Sequence, residues 1–261
     1  MKTFFRLFSG LALTAGLAAC GNSDGNVTMA VGVPSTASSL TTQASASELV
    51  LSDGSHELRI TSAELAIREI EFEQEESTAG CDVASSDDSG DDSSDDCHEF
   101  ETGPTLLSVP LDGTVQQQLS ATVPAGTYDE IEFEIRKIGD DTQAERDFVA
   151  AHPEFDKLSI VVTGTYDGRA FRYESRVDQE QEIELAEPLV IDGDNQEIGV
   201  TLTLDIRGWF VDGSGALVDP ATANDGQPNE SVVTENIARS IDMFHDDDHD
   251  GERHSDDDDE D

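Results

Sequence analysis

A chain of 261 residues with 58 Asp and Glu against 14 Lys and Arg carries a formal net charge of -44. Such a field excludes nucleic acid and anionic lipid surfaces as electrostatic partners, and draws divalent cations, salt or a basic partner. A lysine-poor acidic surface also keeps a protein soluble in a saline habitat, so salt tolerance without any specific metal site is one reading of the composition.

Lys2 and Arg6 precede an apolar stretch from Leu7 to Leu17, and small residues follow to Ala19. A basic head, a short apolar body and small residues at the cut mark a secretory signal over 1–19, too short to span a bilayer. The run Leu17-Ala18-Ala19-Cys20 resembles the bacterial lipobox. That resemblance implies a diacylglyceryl group on the Cys20 thiol, with Cys20 as the new N-terminus outside the cytoplasm. Gly21 after it, where an Asp would argue for the inner membrane, implies an outer-membrane lipoprotein, periplasmic or surface-exposed. Acyl chains contribute about 0.8 kcal/mol per buried methylene, so several on one cysteine hold a soluble domain firmly. A secreted chain cut near Ala19 is the alternative. Residues 20–47, rich in Ser, Thr, Ala and Gly, read as a flexible tether.

One folded domain is expected over 48–244. Leu58 and Ile60 begin a strand whose parity Ile70 and Phe72 continue, while Leu65 and Ile67 fall out of phase. A bulge or break is therefore expected near Ser62 or Arg68. The segment 82–101 is an acidic loop. Lipidation of Cys20 leaves Cys81 and Cys97, which can pair in an oxidising compartment. Closing a loop of about 15 residues removes unfolded-state entropy equivalent to about 3 kcal/mol. A metal site from Cys81, Cys97 and His98 lacks a fourth ligand at usable spacing, which favours the disulfide.

Ile131, Phe133 and Ile135 alternate with Glu130, Glu132, Glu134 and Arg136 as a half-buried strand. Thr142 to Ala151 predicts a short helix closed by His152-Pro153. Leu158 to Tyr166 and Arg169 to Val177 flank Asp167-Gly168, a type I′ hairpin signal. Further strands are expected over Glu182 to Leu185, Leu189 to Ile191 and Ile198 to Ile206. Val233, Ile237, Ile241 and Phe244 define one face of a C-terminal helix, with Ser231 as N-cap. The fold class is mainly β, an antiparallel β-sandwich with a short C-terminal helix. No internal repeat is visible.

The strand before Val123-Pro124-Ala125-Gly126-Thr127-Tyr128, the hairpin Gly164-Thr165-Tyr166-Asp167-Gly168 and a terminal helix entering acidic residues resemble bacterial lipoproteins with transthyretin-like or related β-sandwich domains. The resemblance implies a sandwich fold and transfers no activity.

The tail 245–261 holds the best candidate for chemistry. Asp246-Asp247-Asp248-His249-Asp250-Gly251-Glu252 resembles the start of an EF-hand calcium loop, with oxygen ligands at alternate positions and glycine at the sharp turn. The resemblance implies side-chain ligands at Asp246, Asp248 and Asp250, the backbone carbonyl of Glu252, His254 through water, and Asp257 where the family has a bidentate Glu. Carboxylates just past a helix C-terminus conflict with the helix dipole, and a bound cation would remove that conflict. A solvated acidic tail is the alternative. Asp212-Gly213-Ser214-Gly215 is better read as a glycine turn than as a second cation site.

Catalytic signatures are missing: there is no Gly-x-Ser-x-Gly, no His-Glu-x-x-His and no glycine-rich phosphate loop. The expectation is a lipid-anchored, calcium-binding envelope protein without catalysis, with an envelope protein or glycan as partner. Two rivals make structural demands. A carbohydrate-binding module needs Trp209 exposed on a concave face, and a hydrolase needs a pocket with two close carboxylates, one with a raised pKa.

Overall fold

The computed structural model describes residues 25–32, 40–45, 47–74, 99–191 and 197–245. The first half contains β1 (Gly25–Gly32), β2 (Thr41–Ser45), β3 (Glu48–Ser52), β4 (Glu57–Ile67), β5 (Glu69–Gln74), β6 (Glu99–Glu101), β7 (Thr105–Ser108), β8 (Gln116–Val123) and β9 (Gly126–Ile135). The second half contains α1 (Gln143–Ala151), β10 (Ile160–Tyr166), β11 (Arg169–Ser175), β12 (Gln179–Ile191), β13 (Glu197–Leu204), α2 (Glu230–Ser240) and β14 (Ile241–His245). Three mostly antiparallel sheets pack in a sandwich-like arrangement, as the fold-class reading expects.

The first sheet has the order β14-β13-β1-β8, the second β11-β10-β4-β3-β2 with β7 also on β4, and the third β12-β9-β5-β6. Alternation explains the third sheet. Ile131, Phe133 and Ile135 of β9 and Ile70 and Phe72 of β5 are buried, while the residues between them turn outward.

The irregularity expected near Ser62 or Arg68 is found at both places. Thr163 pairs with Ser62 and Gly164 with Ile60, which leaves Thr61 as the bulged residue. Arg68 then separates β4 from β5 and carries the chain from the second sheet into the third. Its N–H donates to the Glu134 carbonyl (2.8 Å), and its guanidinium reaches Glu134 (2.9 Å) and the buried Glu145 (3.0 Å). Glu145 also closes a capping box with Thr142 at the start of α1.

A second crossing lies between β8 and β9, where Pro124-Ala125 takes the chain from the first sheet to the third. The Tyr128 hydroxyl donates to the Pro124 carbonyl (2.9 Å), bracing the corner from four residues downstream. Antibody-type sandwiches brace a corner with a tyrosine in a related way. The hairpin at Asp167-Gly168 has φ of 49° and 75°, the two left-handed residues of a type I′ turn.

Three expectations need correction. The residues expected as a tether include β1, which lies inside the first sheet, parallel to β13 and antiparallel to β8, with Val27, Ala30 and Val31 buried. They also include β2, an exposed edge strand on β3. The C-terminal helix ends at Ser240, and Ile241, Met243 and Phe244 belong to β14, paired with β13. The helix stops where the Ser240 hydroxyl donates to the Ile237 carbonyl (2.7 Å) and accepts from the Trp209 indole N–H (2.6 Å). The N-cap position is Asn229, not Ser231, and its side chain donates to Thr222 Oγ1 (2.8 Å) instead of accepting from the helix. Among the described residues no helix is long and apolar enough to cross a membrane.

Candidate functional site: a glutamate lattice on the third sheet

The third sheet turns an array of carboxylates outward. β9 carries Glu130, Glu132 and Glu134, β5 carries Glu69, Glu71 and Glu73, and β12 carries Glu180, Glu182 and Glu184. Register aligns them into rows. Glu180, Glu134 and Glu69 form the first, Glu182, Glu132, Glu71 and Glu101 the second, and Glu184, Glu130 and Glu73 the third. Strand geometry makes this a mesh of about 4.8 Å across strands and about 6.8 Å along them.

The alignment follows from one peptide used twice. Residues 69–73 and 130–134 are both Glu-Ile-Glu-Phe-Glu. Run antiparallel, they set Ile70 against Phe133 and Phe72 against Ile131 on the core side, and every glutamate against a glutamate on the other. Like charges directly opposite one another destabilise a sheet.

Two groups of three come within ligand-sharing distance. Carboxylate oxygens of Glu69, Glu71 and Glu101 all lie within 4.8 Å of one another, and so do those of Glu73, Glu130 and Glu132. Calcium holds its oxygens at about 2.3–2.6 Å, so two ligands of one ion stand no more than about 5 Å apart.

The protonation equilibria carry the same strain. Desolvation, then the charges of Glu73 and Glu182, push Glu130 up to about 7. Burial and the neighbouring Glu180 and Glu73 raise Glu132, and burial with Glu101 raises Glu69. Cations enter at the first row, where Arg68 and Arg136 both reach Glu134. A hollow of about 150 Å³ beside it is lined by Arg68, Glu69, Glu71, Glu132, Phe133 and Glu134.

Of the site residues singled out from sequence, Cys20, Cys81, Cys97, Asp246, Asp248, Asp250, Glu252 and Asp257 lie outside the described residues. The elements that flank them in sequence are described. The segment 75–98, which contains Cys81 and Cys97, joins the paired strands β5 and β6. The tail follows strand β14, six residues beyond the end of α2, so the argument from a helix C-terminus against its carboxylates falls. Asp212 Oδ1 accepts from the Ser214 and Ala216 N–H groups and the Ser214 hydroxyl, an ordinary glycine turn. Trp209 is fully buried, which removes the sugar-stacking platform.

No family model, no curated protein and no solved structure matches this chain.

The reading of alternation along β9 missed the lattice, because which strands lie beside β9 is set by long-range pairing. The recurrent Glu-Ile-Glu-Phe-Glu was the available signal, and it corrects the expectation of no internal repeat.

Proposed function

We propose that the protein is a non-catalytic, lipid-anchored β-sandwich of the outer envelope whose glutamate lattice binds divalent cations, calcium foremost, in a binding or structural role. The carrying observation is the meeting of Glu73, Glu130 and Glu132 oxygens within 4.8 Å on an ordered sheet face. A bound cation offsets the cross-strand repulsion that register imposes, so binding and folding reinforce one another. The acidic tail, with Asp246, Asp248 and Asp250, is a second candidate for the same ions, and Cys81–Cys97 a disulfide within the segment that joins β5 to β6. The anchor rests on Cys20 and the signal before it. The hydrolase alternative keeps a foothold in the neighbouring hollow, which Glu69, Glu71 and Glu132 line and where burial raises Glu69 and Glu132.

Thermal unfolding of the full chain in calcium and in chelator tests this reading, beside Glu130→Gln/Glu132→Gln and a chain ending at His245. At a hundredfold excess over Kd, binding adds about 2.7 kcal/mol, or roughly 5–10 °C in a domain of this size. The expected pattern is a rise in the full and shortened chains and none in the double variant. A rise lost only with the tail would move the site there. A shift that sodium chloride reproduces would leave salt tolerance as the explanation.

A further inference from the structure

The short distance in sequence from Cys20 to β1 constrains how an anchored molecule stands. β1 starts at Gly25, opposite Val123 of β8, with Asn26 beside Glu197 of β13. Only five Cα steps separate Cys20 from Gly25, a reach of roughly 17 Å at full extension. A flexible tether of the length expected from composition would have an r.m.s. span of roughly 30 Å and leave orientation free. With β1 locked between two strands, that freedom is gone.

Register shows what else lies at this end. Val123 leads through Pro124 and Ala125 into Gly126, which pairs with Ile191 at the end of β12. Gln74, the last residue of β5, pairs with Tyr128 near the start of β9. β14 runs antiparallel to β13 and reaches His245 opposite Val200, heading for the same end. Pro124 is exposed there, as is Val190, the exposed large apolar side chain of the described surface. The opposite end holds the Asp167-Gly168 hairpin. Asp167 joins His56 (2.7 Å), and Asp53 in the same turn accepts from the Leu217 N–H (2.9 Å) on the chain that leaves the far end of β13.

We infer that, granted the lipid on Cys20 proposed above, the sandwich stands close on the phospholipid headgroups, with the Gly25–Pro124–Val190 end facing them and the Asp167-Gly168 hairpin facing away. The occupant of this end is the headgroup layer of the membrane that holds the anchor, identified by the length of chain between anchor and sheet. β13 alone spans about 26 Å, which separates the two ends well.

The test uses full-length lipidated protein in vesicles of zwitterionic phosphatidylcholine and phosphatidylethanolamine, because the acidic chain is repelled by anionic lipid, with a fluorophore on Val190→Cys or on Ala170→Cys beside the hairpin, and a nitroxide on the headgroups. The mass of the N-terminal peptide first reports the diacylglyceryl adduct. The expected result is quenching several-fold stronger at position 190 than at 170. Adduct present with equal quenching, or the reverse order, overturns the orientation and leaves the anchor intact. Absence of the adduct overturns the anchor and the orientation with it. Cys20→Ser, which removes the lipid, should abolish vesicle binding and quenching at both positions.

Discussion

Glu130 of β9 stands directly across from Glu73 of β5 in register, their carboxylates close enough to share one ion with Glu132. Two glutamates in that relation resist joint ionisation. Burial is the larger cause, and the neighbouring charges add to it, so Glu130 is pushed up to about 7.

The first consequence is an inverted acid response. A carboxyl whose folded pKa exceeds its unfolded one binds its proton more tightly when folded. Its contribution is therefore full below about pH 4.5 and is lost as pH rises through about 7. Without divalent cations, melting temperature should rise as pH falls from 8 to 5. Below about pH 4 it should fall again. Asp53, held to about 2 by the N–H groups of Leu217, His56 and Ser55, then loses its advantage. Calorimetric scans across pH 3–8 read both limbs, and a monotonic loss of stability from pH 8 downward would contradict the first.

Replacing Glu130 by Gln keeps the shape and removes the charge. Glu130→Gln should stabilise the metal-free protein at pH 8 by roughly 1 kcal/mol after allowance for solvent screening, and by nearly nothing at pH 5. Urea midpoints at the two pH values provide the comparison.

Arg68 is the cation on which the crossing from the second sheet to the third depends. Arg68→Ala would leave the buried Glu145 with only the Asp141 and Thr142 N–H groups and take one of two cations from Glu134, and should cost about 2–4 kcal/mol. Arg68→Lys should recover only part of this, because one ammonium cannot reproduce the two-sided grip of the guanidinium. Denaturant unfolding of both variants decides it.

Gly164 meets the bulge at Thr61 so closely that a Cβ there would lie 1.9 Å from the Arg59 carbonyl oxygen. Gly164→Ala should destabilise by about 1–3 kcal/mol, because backbone must move to admit it. An unchanged melting temperature would mean the bulge is not formed as described.

Local chemistry was legible in the sequence. Alternation marked β9, Asp167-Gly168 marked its turn, and Thr142 to Ala151 with His152-Pro153 marked α1 with its end. Parity also located the trouble at Ser62 and Arg68. Two errors came from competing patterns. β1 carries its inward signal on Val27, Ala30 and Val31, within a composition that otherwise reads as linker. Ile241 continues the helical spacing of Val233 and Ile237, yet it also begins the alternation Ile241, Met243 that β13 pairs with. The lattice was hidden for a different reason. Its strands are far apart in sequence, and only lateral register converts three alternating glutamate runs into one face.

The most direct test of the cation site is calorimetric titration of calcium into the full chain and into Glu71→Gln/Glu132→Gln, in buffer of fixed ionic strength at pH 7.5. Saturable binding by the wild type with a stoichiometric component missing from the variant is the predicted result. Identical isotherms for the two proteins would contradict the assignment of calcium to the glutamate face.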